Sequence, residues 1–324
     1  MHPLSYFQEL IETEIQKLSF QQEPAELYDP VRYMLQLGGK RIRPALTLMS
    51  CELFDGNYSD ALPAALGIEV FHNFTLLHDD IMDKAPLRRS KQTVHTKWNN
   101  DIAILSGDAM FVKSCQLMMQ VNKKNASEVM NHFLESALLV CEGQQWDMTF
   151  QSSDGVSISQ YLKMIELKTA ALLACALKTG ALIANTSAKN ADLVHDFGIN
   201  LGIAFQLHDD ILDVYGDEEK FGKQTGGDII ANKKTFLLLK SLELSSPAQL
   251  KEMNHWLTAT TFDEKEKVAS VKNIFQLLDV KAKAEAEMEN YYVKATEALH
   301  SIKAGEQKKG ALLEFAEALM MRQH

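Results

Sequence analysis

Two nearly identical stretches, LHDDIMD at residues 77–83 and LHDDILD at residues 207–213, lie 130 positions apart in this chain. On an α-helix, residues four apart lie on one face, so the first and last aspartates of each stretch are neighbours. Both stretches lie inside apolar segments, where unpaired carboxylates would be costly, and a bound cation is therefore expected. Magnesium prefers oxygen ligands and commonly combines one or two carboxylates with substrate phosphates. The pair of motifs therefore predicts Mg²⁺ sites that act on phosphorylated substrates.

A single motif of this kind would be weak evidence, because acidic clusters are usually solvated helix faces or caps. Its repetition with matching apolar flanks makes that interpretation much weaker. A calcium-binding EF-hand is excluded, since neither copy has the glycine and the distal glutamate of such a loop.

The composition narrows the possible classes of function. The 324-residue chain has a formal net charge of −10, which argues against a nucleic-acid partner. Its four cysteines show no CxxC spacing, so we expect neither a zinc site nor a disulfide framework, and free thiols suit a reducing cytoplasm. The sequence shows no signal-peptide core and no apolar run long enough to span a bilayer. We therefore expect a cytoplasmic protein without stable membrane insertion.

Helical periodicity dominates the chain and strand-like alternation is scarce, which predicts an all-α protein. Because no Pro/Ser-rich linker interrupts it, we expect one domain covering residues 1–324. The segments 61–84 and 193–214, which carry the acidic motifs, are apolar nearly all round, as is typical of helices inside a bundle. We therefore expect a helical bundle whose acids face a central cavity. The predicted helices cover residues 4–20, 25–37, 43–53, 60–84, 92–98, 100–121, 125–151, 157–183, 189–215, 232–243, 246–257, 263–278, 279–302 and 308–322.

Basic residues accompany both acidic motifs. GGKRIRP at residues 38–44 places three cations behind two glycines, which let the backbone approach a ligand closely. His72 shares a helical face with the first motif, and Arg88 and Arg89 follow that motif. Residues 221–234 form a glycine-containing basic loop after the second motif, without a P-loop pattern. Cations around two acidic centres indicate two polyanionic substrates, one of which loses a diphosphate that the cations stabilise.

Taken in order, GGKRIRP, DDIMD followed by RR, GQQWD, KT, FQLHDDILD and FGKQTGGDI…NKK resemble the motifs of trans-type prenyl diphosphate synthases. The similarity covers roughly residues 25 to 300, and the paired aspartate motifs with GGKRxRP are highly specific. The resemblance implies the all-α type I isoprenoid synthase bundle, normally a homodimer. It also implies two substrates, isopentenyl diphosphate and an allylic diphosphate of the dimethylallyl, geranyl or farnesyl type.

The resemblance further implies roles for individual residues. The ligands of three Mg²⁺ ions would be Asp79, Asp83, Asp209 and Asp213, with Asp80 and Asp210 as supporting members. The residues that hold isopentenyl diphosphate would be Lys40, Arg43, His72 and Arg89. The residues that contact the allylic diphosphate would be Arg88, Lys168, Lys223 and Lys233. Thr169 and Gln206 would line the reacting carbons. The catalytic residues would be these two together with Lys168 and Arg88.

The implied reaction is an ionisation followed by a condensation and an elimination. Magnesium and the cations withdraw charge from the allylic C–O bond, and the double bond of isopentenyl diphosphate attacks the resulting carbocation. A proton is then lost to the departing pyrophosphate. Such a reaction requires preformed positive charge at the leaving group and apolar walls that exclude water.

In the family that the chain resembles, residues just upstream of the first aspartate motif limit the product length. Phe74 and Thr75 occupy the fifth and fourth positions before Asp79, and the compact motif resembles the geranylgeranyl-forming pattern. Phe74 lies about 140° around the helix from Asp79, and Thr75 about 40°. Either the helix is distorted, or Phe74 blocks the chain from the side together with Phe71. We expect geranylgeranyl diphosphate as product, with farnesyl diphosphate as the alternative.

Two other classes of protein can be weighed against this reading. A terpene cyclase shares the bundle and the first motif, but its second motif usually reads NSE/DTE, unlike DDILD at residues 209–213. A non-catalytic subunit of a heteromeric synthase commonly lacks aspartates in one motif, whereas this chain keeps all six. Both alternatives therefore fit less well than an active synthase.

Overall fold

The computed structural model describes residues 1–153, 155–216 and 225–321 of the chain. Helices dominate these residues, which confirms the predicted all-α class. The strands within the described ranges form one short hairpin, β1 (Leu87–Arg88) paired antiparallel with β2 (Lys91–Gln92). None of the described helices is long and apolar enough to cross a bilayer.

The helices up to the hairpin and just beyond it are α1 (Leu4–Lys17), α2 (Ala25–Gln36), α3 (Ile42–Leu53), α4 (Tyr58–Met82), α5 (Val94–Lys97), α6 (Asn100–Met118) and α7 (Lys123–Gln151). They are followed by α8 (Ile158–Ile165), a π-helical segment (Glu166–Ala170), α9 (Ala171–Ile183) and α10 (Ala188–Tyr215). The remaining described helices are α11 (Gly227–Ile230), α12 (Phe236–Leu244), α13 (Pro247–Thr258), α14 (Glu264–Leu277), α15 (Val280–Ser301) and α16 (Glu306–Met320).

Residue contacts divide the chain into two compact units. The first unit comprises residues 1–135, 175–195 and 303–312, and the second comprises residues 136–174, 196–302 and the chain from 313 onward. The expectation that the whole chain folds as one domain stays a prediction.

In the first unit, α4 is the central element and packs against α3 and α6, while α1 packs on α3 and α2 on α6. The helix begins at Asn57, whose side chain accepts a hydrogen bond from the Ser59 amide at 3.1 Å and so satisfies a free N–H of the first turn. Its apolar side chains are buried along most of its length, as the all-round apolar sequence predicts. The first acidic motif therefore lies at the carboxyl end of a rigid, buried helix.

In the second unit, α12 packs against α8, α14 and α15, and α11 packs against α14. The core between these helices contains apolar side chains of α8, α10, α12 and α14, including Tyr161, Leu207, Leu237 and Phe275. Helix α8 begins with a capping box, in which Ser157 and Gln160 bond each other's backbone amides. This cap fixes the start of the segment that leads to Lys168 and Thr169.

Several predicted helix boundaries were wrong, each for a local reason. The helix predicted over 92–98 is reduced to one turn, 94–97, because residues 91–92 pair in the hairpin. The helix predicted to run unbroken over 157–183 changes to π-helix at 166–170. The helix predicted to begin at 232 begins at 236, because Asn232 has a positive φ of 54° and Thr235 caps the helix.

Candidate active site

The first aspartate motif ends α4 in the first unit. Asp79 is half-buried and Asp83 is exposed, whereas Asp80 between them is only 2% exposed. Arg88 donates to both carboxylate oxygens of Asp80, from Nε to Oδ2 at 2.8 Å and from Nη2 to Oδ1 at 2.8 Å. This bidentate pair gives Asp80 a guanidinium partner and fixes the position of Arg88. The metal role of Asp80 and the diphosphate role of Arg88 stay predictions.

The hairpin after α4 explains how Arg88 reaches back to the motif. Its turn residues Arg89 and Ser90 have φ values of 52° and 62°, the left-handed backbone that two-residue hairpin turns require. Arg89 is thereby turned toward the glycines of GGKRIRP. A Cβ at Gly39 would lie 3.1 Å from its Nη1, and Gly39 has a φ of 152°. The glycine therefore allows a guanidinium to lie directly against the backbone.

Arg43 and Arg89 lie close to the imidazole of His72 in the first unit. Arg43 donates from Nη1 to Nε2 of His72 at 3.2 Å, while its Nε is buried without a hydrogen-bond partner. Burial, with Arg43, Arg89, Arg88 and Arg41 nearby, holds the pKa of His72 well below its usual value. The imidazole is therefore neutral at pH 7, and a buried cationic N–H without a partner is suited to an anion. Lys40, the fourth predicted residue of this group, is exposed beside Gly39.

Arg41 was not singled out from the sequence, although it lies within GGKRIRP. It is 3% exposed and has a left-handed φ of 49°. It donates to Glu69 at 2.5 Å, to Glu12 at 2.9 Å and to the carbonyl of Leu35 at 2.8 Å. These bonds fix the backbone turn of GGKRIRP, which also carries Lys40 and Arg43.

The second aspartate motif ends α10 in the second unit, and its second aspartate is again the buried one. Asp210 accepts hydrogen bonds from the hydroxyl of Tyr161 and, at 3.0 Å, from the amide of Gln206. Burial and the nearby Asp228 raise the pKa of Asp210 to about 7, although Lys233, Tyr161 and Gln206 act in the opposite direction. Tyr161 was missed because nothing in the sequence distinguishes it from a core tyrosine on an amphipathic helix.

Asp213, the last aspartate of this motif, holds the short helix α11. Its Oδ2 accepts the backbone N–H of Asp228 at 2.9 Å, and Gly227 lies close to its other oxygen. Its predicted metal role stays a prediction. Because of this bond, any ligand of Asp213 would also be coupled to α11, the helix that carries Asp228.

The predicted residues Lys168 and Thr169 lie in the π-helical segment rather than in a regular helix. Lys168 donates to Asp147 at 2.5 Å, and Thr169 donates to the side-chain oxygen of Gln206 at 3.1 Å. The segment lies directly against α7, where a Cβ at Gly143 would approach the backbone nitrogen of Lys168 to 2.3 Å. This glycine of GQQWD therefore permits the contact that Asp147 then secures.

One pocket of the second unit brings several predicted residues together. It is lined by Asp147, Tyr161, Met164, Ile165, Lys168, Thr169, Gln206, Asp210, Lys233, Lys234 and Thr235. Lys233 lies 3.6 Å from Asp228. Burial disfavours its charge, but Asp228, Asp210, Asp147 and Asp213 together raise its pKa above the ordinary value. Lys233 is therefore a permanent cation of this pocket, whereas Lys223 lies outside the described residues.

An aromatic cluster lies upstream of the first motif. The ring of Phe74 is 5.5 Å from that of Phe71 and 5.6 Å from that of Phe111, and Phe71 is 5.2 Å from Phe133. Helix α4 is regular throughout, and Thr75 makes only a local bond to the carbonyl of His72. The helix is therefore not distorted at Phe74, whose ring lies beside that of Phe71, and its role in limiting the product length stays a prediction.

The carboxylates suit a metal ion that is bound jointly with a substrate. Within residues 1–153, 155–216 and 225–321, no three acidic, histidine or cysteine side chains form a ready metal-binding group. Magnesium commonly takes one or two carboxylates and completes its shell with water and phosphate oxygens. The first and last aspartates of each motif provide such oxygen donors.

The family model for polyprenyl synthetases matches residues 24–278 of the chain. A geranylgeranyl diphosphate synthase of Sulfolobus acidocaldarius is 36% identical over 325 residues, which covers 98% of each chain. A crystal structure of a geranylgeranyl pyrophosphate synthase superimposes with a TM-score of 0.95 at 44% identity, covering 100% of both chains. A polyprenyl synthase from Caulobacter crescentus, crystallised with calcium and isoprenyl diphosphate, has a TM-score of 0.88 at 27% identity and covers 99% and 97% of the two chains.

The chain belongs to the polyprenyl synthetase family and is a prenyltransferase of isoprenoid biosynthesis with the all-α isoprenoid synthase fold. The resemblance drawn from the motifs is thereby confirmed. The family uses Mg²⁺ and takes isopentenyl and allylic diphosphates as substrates.

Proposed function

We propose that this protein condenses isopentenyl diphosphate head-to-tail with an allylic diphosphate and releases geranylgeranyl diphosphate. The observation that carries the proposal is the pair of aspartate motifs, each ending a buried helix beside preformed cations. Relatives named as geranylgeranyl diphosphate synthases support the choice of product. Farnesyl diphosphate is the product that an earlier stop would give.

We assign a separate set of residues to each of the two substrates. Lys40, Arg43, His72 and Arg89 would bind the diphosphate of the isopentenyl substrate, with the unpartnered Arg43 Nε as one donor. Arg88, Lys168, Lys233 and, outside the described residues, Lys223 would contact the allylic diphosphate. When bound, Mg²⁺ supplies positive charge that weakens the allylic C–O bond, and Asp79, Asp83, Asp209 and Asp213 would hold three such ions.

Protein groups then act on the carbon skeleton. Thr169 and Gln206, which bond each other at 3.1 Å, would line the reacting carbons and orient them. The cations stabilise the leaving pyrophosphate, which accepts the proton lost after condensation. Apolar side chains around this point exclude the water that would capture the allylic carbocation.

Product length would be set by the aromatic cluster of Phe71, Phe74, Phe111 and Phe133. The rings lie 5.2 to 6.0 Å apart and form a wall upstream of the first motif. A growing prenyl chain would meet this wall once it has reached twenty carbons. Thr75, which follows Phe74 on α4, would lie beside the wall.

A homodimer is part of the proposal. Leu105 and Val112 on α6 are 60% and 56% exposed, and Met119, directly after this helix, is 54% exposed. The three recur every seven residues, which places them within about 20° of a single line along the helix. A second copy of the chain would cover this stripe. A cytoplasmic location is proposed with it, because Cys51 and Cys115 are thiols that form no disulfide.

The test is a product assay with purified protein, Mg²⁺, isopentenyl diphosphate and each of the dimethylallyl, geranyl and farnesyl starters. We expect a twenty-carbon product from all three and none when Mg²⁺ is chelated. Asp79→Ala should reduce turnover by roughly a thousandfold or more with the fold intact, since it removes a charge-stabilising ligand. A fifteen-carbon stop would overturn the product assignment, and no product from any starter would overturn the proposed function.

A further inference from the structure

A buried ammonium group lies beside the site without touching it. Lys267 on α14 is 1% exposed, and its Nζ donates to the carbonyl of Ile230 at 3.0 Å and to Oδ1 of Asn232 at 2.6 Å. The ring of Phe262 lies 4.2 Å from the same nitrogen. Burying a lysine is unfavourable unless specific partners compensate, and this lysine has two acceptors and an aromatic face.

The two acceptors belong to the chain reversal between α11 and α12. Asn232 occupies the left-handed region, with a φ of 54°, and its Nδ2 donates to the carbonyl of Leu257 at 3.0 Å. Its side chain is thus held on one side by α13 and on the other by Lys267. The reversal is therefore fixed by groups of two separate helices, the backbone carbonyl of Leu257 and the ammonium of Lys267.

The residue after this reversal is Lys233, a cation of the proposed allylic subsite. Its backbone N–H donates to the carbonyl of Asp228 at 2.9 Å, and the Asp228 amide in turn donates to Asp213 of the second motif. The direction in which Lys233 leaves the backbone thus depends on Asn232 on one side and on Asp228 on the other. Among the described residues that hold the turn between α11 and α12 in this way, Lys267 alone brings a buried positive charge to it.

We propose that Lys267 is a positioning residue, which holds Lys233 at the allylic diphosphate through Asn232 and the Ile230 carbonyl. This inference rests on the proposed function, because Lys233 must contact a substrate for its position to affect turnover. Lys267 itself contacts no substrate. Its neighbours Val271, Met253 and Phe275 would accept an apolar side chain equally well, so packing alone does not require an ammonium group here.

The test compares Lys267→Met, which keeps the unbranched stem and removes the charge, with Val271→Ala one turn away. Lys267→Met should raise the KM for the allylic diphosphate about tenfold and leave the KM for isopentenyl diphosphate within about twofold. Val271→Ala should lower the Tm through lost packing without changing either KM. Asn232→Gly, which tolerates the left-handed backbone but removes the acceptor, should reproduce the Lys267→Met effect and serves if that variant fails to fold.

A double-mutant cycle identifies the route of the effect. In a Lys233→Met background, Lys267→Met should change the allylic KM by less than about twofold, because the group that it positions is gone. An equal effect in both backgrounds, or a parallel change in the two KM values, would overturn the inference while leaving the proposed function intact. A wild-type protein without turnover would instead overturn the proposed function and this inference with it.

Discussion

At the scale of single residues, the aspartates of the two motifs differ in burial: the second of each motif is buried, and the first and last are half-buried or exposed. The second aspartate of each motif is buried and bonded within the protein, Asp80 to Arg88 and Asp210 to Tyr161 and Gln206. The spacing of the sequence predicts which acids share a face, because successive helical residues are rotated by about 100°. It does not predict their partners, since Tyr161 is 49 positions away from Asp210 and meets it only through the tertiary fold.

The role of Phe74 can be tested at this scale. Phe74→Ala removes one ring of the cluster with Phe71 and Phe111 and leaves room for further isoprene additions. We expect the main product to lengthen by at least five carbons, as measured by chromatography of the dephosphorylated products. Phe7→Ala, which removes a fully buried ring outside the cluster, is the control and should lower stability without changing chain length. An unchanged product from Phe74→Ala would exclude Phe74 as the wall.

At the scale of the element, the π-helical segment at 166–170 is the feature that periodicity could not predict. The sequence from 157 to 183 reads as one continuous helix, and most of it is helical. The widened turn coincides with a contact between two distant parts of the chain, Gly143 and the backbone of Lys168. Such π turns are frequent at functional sites because they change the direction of individual side chains.

Gly143→Ala tests whether this contact positions the site. The new methyl group would lie 2.3 Å from the Lys168 nitrogen and 2.7 Å from its Cα, and backbone cannot move aside as a flexible side chain can. We expect turnover to fall at least tenfold and the free energy of unfolding to fall by about 1–3 kcal/mol, a typical cost of overpacking.

Gly310→Ala provides the matched control, because nothing lies within 4 Å of its added methyl group in α16. It should stabilise the protein by roughly 0.5–1 kcal/mol and leave turnover unchanged. Normal activity in Gly143→Ala would show that the close approach is irrelevant to catalysis.

At the scale of the whole molecule, the helical class and the family follow from the sequence, whereas subunit assembly rests on surface chemistry. If two copies meet at the α6 stripe, Val112→Glu places a charge in the middle of an apolar contact. We expect the wild-type protein to sediment as a dimer and the variant as a single chain. Leu277→Glu, at a side chain of α14 that is 68% exposed, should leave the mass of the assembly as in the wild type. A monomeric wild type would contradict the proposed assembly.

The response to acid should also be a property of the whole molecule. Burial, with smaller effects from His195 and Lys178, lowers the pKa of His132 to about 4 from the ordinary 6.5. Between pH 6.5 and about pH 4, His132 is therefore protonated in the unfolded chain but not in the folded protein, and its contribution to stability is lost across that interval. The loss reaches at most about 3 kcal/mol at pH 4.

Urea denaturation between pH 7.5 and pH 4 measures this effect. His132→Gln should show a shallower fall in the free energy of unfolding, and above pH 7 its difference from wild type should stay constant. Parallel curves over the whole range would exclude His132 as the source of the acid sensitivity.

The π-helical segment also makes the catalyst sensitive to a very small genetic event. A π turn holds one residue more than the α-helical turn that it replaces, so a deletion of one codon within 166–170 would restore an uninterrupted helix. The backbone hydrogen bonding would survive, and the flanking helices would keep their relative orientation, because the π turn already accommodates the extra residue. The side chains within the segment itself would change direction. Lys168 and Thr169 would then no longer face Asp147 and Gln206 together. A single in-frame deletion could in this way produce a folded paralogue that has lost its chemistry.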